Sequence, residues 1–124
     1  MIFLIDEADD GIVSITSPET LSNLTLSSYQ VNQSVTEKIL EDFFSDITNH
    51  YEACSELMRF ETKQDFLIEK RFTKENIHWI WWGLSKSNQI TLISVNSEIE
   101  VTDDDYNLYR FMISKMEIYP TETV

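Results

Sequence analysis

The sequence predicts an α+β domain, an antiparallel sheet packed against two helices. Three observations carry the prediction. From residue 35 onward, apolar side chains recur at intervals of three and four, the period of a helix with one buried face. Residues 66–95 instead alternate, or run apolar on both parities, between short turn signals, as a strand meander does. Near the N-terminus two short apolar runs flank Asp9-Asp10-Gly11, a hairpin pattern. A chain of 124 residues fits one compact domain, 1–124, with no separate linker or second domain.

Taken in order, residues 2–5 (Ile-Phe-Leu-Ile) read as a buried strand and residues 12–16 (Ile-Val-Ser-Ile-Thr) as its hairpin partner. Residues 17–33 are rich in Ser, Thr and Asn, and Leu24-Thr25-Leu26 reads as a short edge strand. Ser34-Val35-Thr36-Glu37 matches a capping box. Val35, Ile39, Leu40, Phe43, Phe44, Ile47, Tyr51, Cys54, Leu57 and Met58 then form one apolar stripe. It predicts a long helix at about 35–60 with room for a break near Asn49. Strands are expected at 66–72, 77–84 and 89–95, together a three-stranded meander at about 66–95. The middle strand, apolar on both faces, is expected at the sheet centre. Thr102 or Asp103 caps a second helix at about 103–117, whose first turn carries acids where the helix dipole favours them.

The charge is the strongest functional signal. Twenty-two acidic residues face nine basic ones, for a net charge of −13. Residues 1–37 and 87–109 contain no Lys or Arg, and six of the nine cations fall between 59 and 86. Such a field repels nucleic acid and anionic membrane and steers a cationic partner onto the surface. Fifteen aromatic residues (seven Phe, five Tyr, three Trp) separate the chain from disordered acidic tails.

Composition and motifs exclude several classes of chemistry. Only two glycines occur, too few for a Gly-rich phosphate loop, and no Gly-x-x-x-x-Gly-Lys-Ser/Thr is present. Asp6-Glu7-Ala8-Asp9 looks like the Mg²⁺-coordinating tetrapeptide of helicase-type ATPases, whose chemistry needs that absent loop. With Asp10 it is read here as a local negative cluster. Asp103, Asp105 and Asn107 mimic the opening of an EF-hand loop, but Leu108 stands at the turn glycine and Ser114 at the terminal Glu. Helix capping accounts for that run. Cys54 is the sole cysteine, which leaves no internal disulfide, and is expected on the apolar helix face. His50 and His78 are expected to be structural, and no nucleophile motif appears. No apolar run approaches the ~20 residues of a membrane helix. No cofactor or metal is expected, and the expected location is cytoplasmic.

The function expected from these residues is that of an acidic inhibitor that binds and neutralises a basic protein, a nuclease-type toxin domain. Nucleases hold phosphates with Lys and Arg clusters that a rigid array of carboxylates can occupy. Bacterial toxin-immunity proteins are similar in general character: short, acidic, cytosolic and without catalytic motifs. The alternatives are a phage-type DNA mimic and an adaptor domain, neither catalytic, and, least favoured by the scarce Gly and His, a small enzyme or ligand-binding domain with a pocket between the long helix and the sheet. The expected partner-binding residues are Asp6, Glu7, Asp9 and Asp10, then Glu37, Glu41, Asp42 and Asp46, then Glu98, Glu100, Asp103, Asp104 and Asp105. Trp81 and Trp82 face opposite sides of one strand, and Trp82 is expected as a partly exposed interface anchor.

Overall fold

A computed structural model describes residues 4–7, 13–17 and 22–116, with residues before Asn23 described by their backbone alone. The chain forms an antiparallel sheet with one helix on each face, the α+β architecture expected. Its strands are β1 (Leu4–Glu7), β2 (Val13–Ser17), β3 (Ser22–Gln30), β4 (Glu52–Ala53), β5 (Met58–Phe60), β6 (Phe66–Lys74), β7 (Ile77–Lys86) and β8 (Gln89–Ser97). The helices are α1 (Glu37–Thr48) and α2 (Asp103–Ser114). Strand order across the sheet is β1-β2-β3-β8-β7-β6-β4, with β5 also paired to β6. Hairpin and meander are therefore parts of one sheet, joined where β3 pairs with β8 over the full length of both.

The central strand explains why there are two cores. Along β7, Ile80, Trp82 and Leu84 point to one face and pack with Leu67, Ile93, Val95 and with Tyr106, Tyr109 and Ile113 of α2. Trp79 and Trp81 point to the other face, with Ile68, Phe72, Ile90, Leu92 and with Leu40 and Phe44 of α1. A strand apolar on both parities requires cover on both sides, and the two helices supply it. Where α1 crosses the sheet, Gly83 removes the obstacle. A Cβ there would lie 3.1 Å from Ile68 Cγ1 and 3.2 Å from both Leu40 Cδ1 and Phe44 Cδ2. Gly83→Val is expected to cost about 1–3 kcal/mol in urea unfolding, because three side chains must leave their packing at once. No measurable loss would mean that α1 slides freely over this site.

Several local expectations need correction. The first helix ends at Thr48, not near 60, and residues 52–60 form β4 and β5 instead. Thr48 turns its hydroxyl back to the Phe44 carbonyl (2.8 Å) and is followed by Asn49 and His50, a weakly helical run. The edge of β6 then offers a stronger partner. Its nine residues would otherwise expose a row of unpaired backbone groups, and β4 and β5 cover it in two short pieces. Tyr51, Cys54, Leu57 and Met58 held helical spacing without being helical. Cys54, expected on a buried helix face, is exposed in the β4–β5 connection.

The α1 cap is Thr36, whose hydroxyl accepts from the Ile39 N–H at 3.2 Å, rather than Ser34. At α2, Thr102 accepts from Asp105 N–H at 3.2 Å, one of the two caps expected. Leu24-Thr25-Leu26 is no edge. It lies inside β3, between β2 and β8, with Leu24 buried. The meander strands each run two residues beyond the expected limits, to Lys74, Lys86 and Ser97. Glu75 and Asn76, both at positive φ (53° and 65°), make the tight β6–β7 turn. The Asp9-Asp10-Gly11 turn and the tail after residue 116 lie outside the described residues.

Candidate interaction surface

The expected partner-binding residues fall into three places, which the structure does not join into one site. Asp6 and Glu7, beyond the strand expected at residues 2–5, pair in register with Ser14 and Val13 as the end of edge strand β1. Asp9 and Asp10 lie outside the described residues.

The second group lies on α1, where most of the charge is already matched. Arg59 of β5 reaches across to α1, donating from Nε to Glu37 and from Nη2 to Glu41. Both carboxylates raise the Arg59 pKa, the hydrogen bond to Glu37 being the largest single cause and that to Glu41 the next. Lys38 pairs with Asp42 at 3.0 Å one turn on. The arrangement follows from the fold. Helical spacing puts positions 37 and 41 on one flank of α1, and β5 brings Arg59 beside that flank. Asp46 is exposed, with no cation in ion-pair reach among the described residues.

The third group occupies the connection from β8 into α2. Glu98, Glu100, Asp103 and Asp104 are exposed and Asp105 is half-buried. None of the five is ion-paired among the described residues. Capping explains Asp103 to Asp105 at the positive end of α2. It does not explain Glu98 and Glu100, which lie outside the helix. Between those two in sequence stands Ile99 at 55% exposure, a large apolar side chain left facing solvent. The expected surface did not include Ile99. Its only sequence signal is an apolar residue beyond the end of β8, flanked by acids.

Trp82 is core and not an anchor. Its side chain is 1% exposed, and its indole N–H donates to Glu69 Oε1 at 2.8 Å. Glu69 is 0% exposed and is also gripped by Arg110 of α2, Nε to Oε1 at 2.9 Å and Nη2 to Oε2 at 2.8 Å. That carboxylate raises the Arg110 pKa against the opposing effect of burial. Tyr106 lies beside the pair, with the Arg71 guanidinium 3.6 Å above its ring, and burial pushes its phenol pKa up. This network fixes α2, and with it the acidic first turn, to the sheet. Trp79 and Trp81, on the opposite face, are half-buried and stacked 6.2 Å apart beneath Tyr51.

Among the described residues no group of three or more His, Cys, Asp or Glu is placed to hold a metal ion, and no helix is long and apolar enough to cross a membrane. No protein-family model matches the chain, and no curated protein sequence matches it.

Proposed function

We propose that this chain is a non-catalytic acidic inhibitor that neutralises a cationic, nuclease-type toxin domain in the cytoplasm, in the manner of a toxin-immunity protein. The observation that carries the reading is the 98–105 segment. It offers five carboxylates that form no ion pair among the described residues, and an exposed Ile99 between Glu98 and Glu100. An apolar anchor with a charged rim is the usual anatomy of a specific interface. Unmatched acids are the part of a −13 charge best able to speed encounter with a basic protein. On α1, by contrast, Glu37, Glu41 and Asp42 spend their charge on Arg59 and Lys38. The docking face is therefore assigned to 98–105, with Asp46 and the β1 acids outside it.

The test begins with affinity capture from the native lysate, eluted along a salt gradient, and continues with stopped-flow association of the isolated partner. Reversing Glu98, Glu100, Asp103 and Asp104 to Lys is expected to slow association at low salt by about 10-fold to 1,000-fold. Ile99→Ser is expected to speed dissociation instead. Thermal unfolding reports whether each variant stays folded. A partner bound as fast by the charge-reversed variant, or held unchanged through high salt, would replace this reading with that of an adaptor domain. Competition with duplex DNA for the partner's own DNA site would favour the DNA-mimic reading.

A further inference from the structure

We infer that α2 and β5 form a self-complementary face through which two copies of this chain pair about a two-fold axis. Two features on that face carry the inference. The first is Phe111, exposed to 63% on α2 although its neighbours Tyr109 and Ile113 are buried. The second is a cavity of about 320 Å³ beside it, open to solvent and lined by Phe60, Leu67, Trp82, Arg110, Glu61 and Phe111 itself. An apolar cavity of about 150 Å³ already accepts benzene, so this one has room for a phenyl ring.

A knob beside a hole on a single face is what an isologous contact requires, because each copy offers both. Brought face to face, each Phe111 ring enters the other copy's cavity, and neither remains in water. Charge decides the occupant. In a chain of −13, two copies should repel, yet this face offers a cation and an anion that can pair across it. Lys115 holds its Nζ 5.7 Å from the Phe111 ring, and Glu61 is exposed at the cavity wall. Neither is ion-paired among the described residues. The symmetry that inserts Phe111 carries its Lys115 to the other copy's Glu61, so two new ion pairs form at the rim. The inference does not depend on the inhibitor reading, which concerns the 98–105 segment.

Sedimentation equilibrium of the purified chain tests it, from about 10 µM to 1 mM. Wild type is expected to approach twice the monomer mass. It should do so more readily at high salt, because screening relieves the net repulsion while the apolar insertion persists. This is the opposite of the salt response expected for capture of a basic partner, so the two readings fail separately. Phe111→Ser is expected to stay monomeric with little change in its thermal unfolding curve, since the ring is mostly exposed in the monomer. Lys115→Glu should weaken pairing, and combining it with Glu61→Lys should restore it. A wild type that stays monomeric at high salt, a Phe111→Ser that pairs as wild type does, or growth beyond dimers would each overturn the inference.

Discussion

Arg110→Met is expected to destabilise the protein by about 3–5 kcal/mol, among the largest effects of any single substitution here. The cost lies with the residue left behind. Glu69 sits on β6 with no exposed surface and holds three charge-assisted or polar contacts, two from Arg110 and one from Trp82. Taking away Arg110 leaves a buried carboxylate with one neutral donor, and burial of an unpaired charge is far more costly than loss of an exposed pair. Replacing both partners, Glu69→Leu with Arg110→Met, is expected to recover part of the loss, because no charge then remains in the interior although the Trp82 N–H loses its acceptor. Urea unfolding of the two single variants and the double variant closes the cycle. A single variant that loses less than about 1 kcal/mol would show that water reaches Glu69 and that the bridge is only superficial. The consequence extends to the surface, since α2 begins with Asp103–Asp105. A loosened α2 presents those acids in many positions, and association should slow for want of preorganisation.

The parts of this fold that were legible in the sequence are those fixed by local pattern. The parity of Ile77 to Leu84 marked β7 as central because a strand covered on both faces leaves a continuous apolar run. Thr102 and the acids after it marked the start of α2 through capping chemistry that depends on four neighbouring residues. What was not legible depended on distant residues. Residues 51–58 carry helical spacing, but the open edge of β6 decides their state, and no local window contains both. Nothing in the sequence around Glu69 marks it as a buried ion; its partner lies forty-one residues away, beyond two further strands in chain order. For the same reason the acids of α1 looked equivalent to those of 98–105. Only the tertiary placement of Arg59 shows that the first set is matched and the second is not.

The three tryptophans separate the two cores by experiment. Trp82→Ala is expected to cost about 3–5 kcal/mol, through a large cavity under α2 and the lost donor to Glu69. Trp79→Ala should cost clearly less, because that ring is half-buried and already keeps one edge near solvent. Trp82→Phe divides the larger loss. It keeps an aromatic ring against Tyr109, 6.2 Å away between centroids, but removes the N–H that Glu69 accepts. The part due to that hydrogen bond is expected at about 1–3 kcal/mol, since the acceptor is charged and buried. Urea unfolding measures all three. If Trp79→Ala cost as much as Trp82→Ala, the α1 face would be as tightly sealed as the α2 face. A Trp82→Ala variant that unfolds like wild type would return Trp82 to the surface as an anchor for a partner. As the structure stands, Trp82 serves recognition only indirectly, by holding the carboxylate that holds Arg110, and so the helix that carries the acids.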